Sequence, residues 1–204
     1  MTAGGLAPSR CVLVAVDVQN DYCDDAGALG RAGHALADIQ AAVRRLQGLV
    51  DAARRAGVPV VWVRTEHDGW TDSAAWLGRA PRRAAPICAT GSRGAEFYLV
   101  EPLATECVVV KHRYSAFVGT RLPVVLRALA RPVLALAGVT TNVCVESTAR
   151  DAFMRDWEVV LVEDCAGALT RAEHAAAVQN IRSYFGRVLD AAALEAAWSE
   201  PGRA

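Results

Sequence analysis

The chain has 204 residues, 53% of them hydrophobic and 22% charged, which is enough apolar material for one well-buried core and fits a single domain over 1–204. Basic and acidic residues balance at 22 each and the pI is near 6.9, so nothing in the overall charge points to a nucleic acid or a membrane surface as partner. The opening MTAGGLAPSR lacks the basic-then-apolar order of a secretory signal and no apolar run approaches the roughly 20 residues that span a bilayer, so a cytoplasmic protein with a flexible lead-in over 1–10 is expected.

In chain order, CVLVAV (11–16) is a continuous apolar run of the kind that forms a strand buried on both faces, closed by Asp17. A helix is expected over 36–56, because Ile39, Val43, Leu46, Val50 and Ala53 recur at three- and four-residue steps, and Gly57 ends it. A second strand follows over 58–63. Residues 66–98 are broken by prolines, glycines and short charged runs; a connection this long is expected to contain a short helix and to cover a site. A strand at 106–110 stops at Lys111. Beyond it come a helix at 120–130, a strand at 133–137 stopping at Gly138, a helix at 142–155 and a strand at 158–162. A helix at about 170–185, an edge strand at 187–189 and a helix at 191–198 complete the chain. Strands alternating with helices predict an α/β protein with a parallel sheet covered on both faces.

Three polar groups fall outside the carboxyl ends of different strands, where such sheets place their sites: Asp17, Lys111 and Cys144. Cys144 lies in GVTTNVCVES at a helix start, where free amides and the helix dipole stabilise a thiolate. A lysine ammonium would add to this, and a carboxylate could serve as the base. Taken singly, a cysteine beside an apolar run is more often structural, an aspartate at a strand end often caps a turn and a lysine is usually surface; it is the joint placement that argues for a site. The six cysteines include no CxxC pair and no Cys/His cluster with zinc spacing, and a chain of this size needs no disulfide staples. There is no serine-hydrolase elbow, glycine-rich phosphate loop or HExxH.

The pieces VAVDVQNDYC (14–23), GVPVVWVRTEH (57–67), VVVKHRYSAFVGTRL (108–122), GVTTNVCVESTARDAF (138–153), VVLVEDCAGA (159–168) and NIRSYFG (180–186) resemble, in order, the isochorismatase-like cysteine hydrolases. These include N-carbamoylsarcosine amidase, ureidoacrylate amidohydrolase and nicotinamidase. The resemblance implies a three-layer α/β/α fold around a doubly wound, mainly parallel six-stranded sheet. It implies a triad of Asp17, Lys111 and Cys144, a cis peptide at Val139–Thr140, and an oxyanion hole from the amides of Thr140 and Cys144. It also implies a homodimer or homotetramer whose neighbouring subunits help to line the site. Gln19 is similar to a family position that supports the pocket. Asn20, Tyr22, His67, Tyr114 and Phe117 are candidate substrate contacts, with Trp62 or Trp76 as an apolar wall; each has packing, or for His67 a solvated loop, as its alternative.

Isochorismatases proper commonly have glycine at the cysteine position, so Cys144 favours C–N cleavage in a small linear amide, ureido or carbamoyl compound over vinyl-ether hydrolysis. Nicotinamidases carry a metal-binding Asp-x-His after the second strand; here the stretch reads RTEHDGWTD, so neither a metal nor another cofactor is expected. Aromatic-amide hydrolysis, vinyl-ether hydrolysis and a non-enzymatic partner-binding role are the alternatives.

Overall fold

The computed structural model describes residues 3–78 and 87–199. The chain runs β1 (Cys11–Val16), α1 (Asn20–Cys23), α2 (Ala28–Arg31), α3 (Ala37–Arg55), β2 (Val60–Thr65), α4 (Ala74–Gly78), β3 (Cys107–Lys111), α5 (Leu122–Leu129), β4 (Val133–Val139), α6 (Glu146–Phe153), β5 (Glu158–Gly167), α7 (Arg171–Asn180), β6 (Arg187–Leu189) and α8 (Ala191–Ser199). The strands form one six-stranded sheet in the order β3-β2-β1-β4-β5-β6, and every pairing is parallel. This is the expected three-layer α/β/α fold. Residues 3–10, read as a lead-in, wind through two 3-10 turns, and Leu6 packs on the core.

The two faces of the sheet are sealed by different helices because successive strand residues point to opposite sides. Leu13, Ala15, Trp62, Ala135 and Val160 meet α3 and α8 through Ile39, Val43, Leu46, Leu194 and Trp198. Val14, Val16, Val63, Leu134 and Leu161 meet α5, α6 and the turn after α7 through Leu122, Leu126, Ala149 and Ile181. Burying a Leu, Ile or Val side chain contributes about 1.5–3 kcal/mol each, so these two layers dominate stability. The capping box of Thr170 and Glu173 sets the start of α7.

The structure corrects several boundaries. β2 runs over 60–65 instead of 58–63, because Leu13 pairs with Val60 and the strand starts only after Pro59. β4 does not stop at Gly138 but continues through it to Val139. Gly138 has φ +114°, and a Cβ there would meet Val16 O at 2.0 Å, so glycine is what lets β4 lie close to β1. β5 extends to Gly167, past a register shift against β4. The helix expected over 142–155 opens as a π-helical turn, Thr141–Val145, before α6, and the helix ending at 185 closes on another, Ile181–Phe185. The short helix expected within 66–98 is α4; residues 79–86 of that segment, including Arg82 and Arg83, lie outside the described residues. Among the described residues, no helix is long and apolar enough to cross a membrane.

Candidate active site

The strand order reverses direction between β1 and β4, which opens a crevice at their carboxyl ends. Asp17 leaves β1 with φ +54°, a left-handed conformation that aspartate tolerates better than most side chains. Its amide donates to Val63 O of β2 at 2.8 Å, and the amide of Gln19 donates back to Asp17 O at 2.8 Å. The backbone therefore turns out of the strand while still tied to the sheet. Lys111 is the last residue of β3, and Cys144 lies in the π-helical turn after β4. The Val139–Thr140 peptide is cis.

These residues meet in a site closed to water: Asp17 is 0%, Lys111 1% and Cys144 6% exposed. Lys111 Nζ lies 2.7 Å from Asp17 Oδ2 and donates to Thr65 Oγ1 at 2.6 Å and Cys144 Sγ at 3.4 Å. The Thr65 hydroxyl donates to Asp17 Oδ1 at 3.0 Å. Burial pushes the Cys144 thiol well above its ordinary range and the Asp17 charge raises it further, while the Lys111 ammonium opposes both. Burial acts to lower Lys111, but the charges of Asp17 and Cys144 outweigh it and hold the ammonium above its usual value. Burial and the Asp17 charge thus favour the protonated thiol, while the Lys111 ammonium favours the thiolate, in a site that also holds the Asp17–Lys111 ion pair. An isolated buried charge costs several kcal/mol, so each ion here depends on the other.

The remaining predicted residues separate into groups. Gln19, fully buried, grips the backbone of Thr65 from both sides, Nε2 to Thr65 O and Thr65 N to Oε1, each at 2.8 Å. The Asn20 side chain donates to Arg93 O at 2.8 Å and ties α1 to the loop at 93–95. The half-buried Tyr22 phenol is within electrostatic reach of Cys88, Asp17 and Cys144; burial first, then these charges, raise it well above its ordinary value. His67 Nδ1 faces Asp72 Oδ1 at 2.7 Å, and its ring stacks on Trp76, which in turn packs on Tyr114 with ring centroids 4.9 Å apart. An aromatic rim therefore links the segments after β2 and β3. Phe117 points into the core beneath α5, with Arg155 over its ring.

Trp62 does not form the expected wall. It is fully buried on the face covered by α3, away from Cys144, packs edge-on to Phe97 and donates to Glu106 Oε2 at 2.7 Å. Its even position in β2 sends it to that face, whereas Val61, Val63 and Thr65 share the other parity.

Sequence reasoning missed Thr65, Thr148 and Cys88. Thr148 Oγ1 donates to Cys144 O at 2.7 Å and accepts from the Ala116 amide at 3.1 Å, joining the cysteine turn to the segment after Lys111. Cys88, at φ +51°, is buried within electrostatic reach of Asp17 and Lys111. The VESTAR motif carried Thr148 in plain view; nothing local marked the other two. All six cysteines are unpaired. Among the described residues, no three His, Cys, Asp or Glu side chains gather closely enough to hold a metal ion. A cavity of about 480 Å³ lies over the end of β5, lined by Asp38, Arg45, Asp164, Arg171 and His174; it does not include the triad candidates.

The Isochorismatase domain family profile matches residues 11–193. The chain is 37% identical to the ureidoacrylate amidohydrolase RutB of Methylobacterium radiotolerans, over 98% of this chain and 83% of that protein. It is 33% identical to the RutB of Acinetobacter baylyi, over 91% and 82%. Among solved structures, a cysteine hydrolase from Pseudomonas syringae pv. phaseolicola superposes with a TM-score of 0.85 at 27% identity, covering 94% of this chain and 93% of that one. The N-carbamoylsarcosine amidase of Thermoplasma acidophilum superposes with a TM-score of 0.75 at 26% identity, over 89% and 96%. The chain belongs to the isochorismatase domain family, among its isochorismatase-like cysteine hydrolases.

Proposed function

We propose that this protein is a cysteine-dependent amidohydrolase that cleaves a C–N bond in a small linear amide, ureido or carbamoyl compound. The observation that carries the reading is the Lys111 ammonium, 3.4 Å from the Cys144 sulfur and 2.7 Å from the Asp17 carboxylate, in a site nearly closed to water. Similarity to ureidoacrylate amidohydrolases and to an N-carbamoylsarcosine amidase supports the substrate class.

In the proposed mechanism Asp17 takes the Cys144 proton as sulfur attacks the carbonyl carbon. Lys111 faces the thiolate and holds its charge. The oxyanion of the tetrahedral intermediate is held by the amides of Thr140 and Cys144. The C–N bond then breaks, and Asp17 returns the proton to the departing nitrogen. Water adds to the thioester, the acid leaves, and the thiol is restored. A carbamic acid released in this way decomposes to carbon dioxide and ammonia or an amine.

An ammonia-release screen over ureido acids, carbamoyl amino acids, biuret and nicotinamide tests the reading. Turnover of a ureido or carbamoyl compound is expected, with a loss of about 10³-fold or more in Cys144→Ala. Activity on nicotinamide alone would move the substrate class to aromatic amides. Full activity in Cys144→Ala would sink thiol chemistry and return vinyl-ether hydrolysis to the front. The family resemblance also implies a homodimer or homotetramer, which light scattering reads directly; a monomer at working concentration overturns that part.

A further inference from the structure

The two oxygens of Asp17 have unlike surroundings. Oδ1 accepts the Thr65 hydroxyl at 3.0 Å. Oδ2 is in ion-pair contact with Lys111 Nζ at 2.7 Å and accepts no hydroxyl or amide hydrogen bond among the described residues. The direction of the Thr65 hydroxyl follows from chemistry. An ammonium only donates, so the Thr65 oxygen 2.6 Å from Lys111 Nζ accepts; the Tyr22 phenol, which also reaches Thr65, can donate to the same oxygen, and the Thr65 proton goes to Oδ1 at 3.0 Å.

We propose that Thr65 is a positioning residue that fills Oδ1 of Asp17 and thereby leaves Oδ2 as the oxygen that receives the Cys144 proton. The inference rests on the triad reading above. In the step concerned, the S–H bond of Cys144 breaks and an O–H bond forms on Oδ2. The negative charge passes from carboxylate to sulfur, beside the same ammonium, with no change in net charge. Lys111 keeps its bond to Thr65 through the transfer, so the cation stays where both anions can use it.

The surroundings of Thr65 fit this role. Its backbone is clamped by Gln19 on both its N–H and its C=O, and Gln19 is itself fixed by Ala95 O at 2.8 Å. The residue is 3% exposed, in a strand, where a β-branched side chain has few rotamers. Shape alone would be met by valine; only the hydroxyl can accept from Lys111 while donating to Asp17.

The experiment is the pH dependence of Cys144 alkylation by iodoacetamide, with the modified cysteine identified by peptide mass mapping, in wild type, Thr65→Val and Thr65→Ser. It needs no substrate. Wild type should show a plateau with an acid limb that belongs to the coupled Asp17–Cys144 pair. In Thr65→Val the carboxylate loses a donor that favours its charged form, so the acid limb should move up by about one pH unit. The plateau should fall about tenfold, because two oxygens now compete for the proton and the ammonium. Thr65→Ser should restore both to within about threefold. An acid limb unmoved in Thr65→Val, or a serine variant as defective as the valine one, overturns the inference. Should Thr65→Val not fold, Thr65→Ala is judged by the same limb. Failure of the triad reading looks different: wild-type Cys144 is then not the modified residue, or its rate follows free-thiol titration near pH 8.5.

Discussion

Glu106 and Asp17 are two carboxylates that face cations, one half-buried and one fully buried, and they are built differently. Glu106, just before β3, accepts from Arg54 Nε at 2.9 Å, Arg54 Nη2 at 3.0 Å, Trp62 Nε1 at 2.7 Å and the Leu103 amide at 2.9 Å. Burial acts to raise its carboxyl, but Arg54, the Leu103 amide and the Trp62 indole together outweigh it and hold it below its ordinary value. Asp17 at the opposite end of the sheet has one oxygen filled by Thr65 and another in ion-pair contact only, next to a thiol. Both carboxylates anchor strands, but Glu106 has no vacancy at which a proton could be useful. A carboxylate filled by four donors fits a structural role; one with a single hydroxyl donor and an ion-pair contact, beside a nucleophile, fits a chemical one.

The sharpest way to break this contrast is Lys111→Met. It leaves Asp17 buried without its cation and should cost about 3–5 kcal/mol in urea unfolding, while abolishing rapid Cys144 alkylation. A loss below about 1 kcal/mol would mean that the pair is no more demanding than an exposed one. Glu106→Gln should cost less, about 2 kcal/mol, because a neutral amide keeps some of the hydrogen bonds. Its catalytic efficiency should stay within about twofold of wild type, since the side chain is remote from Cys144; a large loss would erase the distinction between the two carboxylates.

The same variant gives a pH signature. The folded Glu106 carboxyl lies below its unfolded value of about 4.3, so its stabilisation is fully present above that value and is lost as pH falls through the folded one. Wild type should therefore lose stability over this acid window more steeply than Glu106→Gln, as read by unfolding midpoints between pH 5 and 3. The smallest expected effect is that of Thr148→Val. It removes the hydroxyl between Cys144 O and the Ala116 amide and should cost about 1 kcal/mol. A cost near zero would mean that the cysteine turn is held by packing alone.

How much of this was legible follows from where side chains point. The central strands β1, β2 and β4 are apolar runs buried on both faces, so the existence of the strands, their parallel pairing and the polar residues that end them can be read from the chain. That was enough to nominate Asp17, Lys111 and Cys144, and to make the family resemblance informative. A strand buried on both faces carries no apolar–polar alternation, so it does not say which face a given residue serves. Trp62 was consequently read as a pocket wall when it braces Glu106 beneath α3. Thr65 was overlooked because β2 was expected to end at residue 63, and it is the pairing with β3, Arg64 with Val110 and Thr65 with Lys111, that carries it on to 65. The sequence by itself determined the order of elements, the architecture and the ends of strands where chemistry would sit. The tertiary structure alone decided the parity of β2, the close approach of β1 and β4 at Gly138 and the filling of Asp17 Oδ1. Each of these depends on contacts between residues dozens of positions apart, which no local pattern encodes.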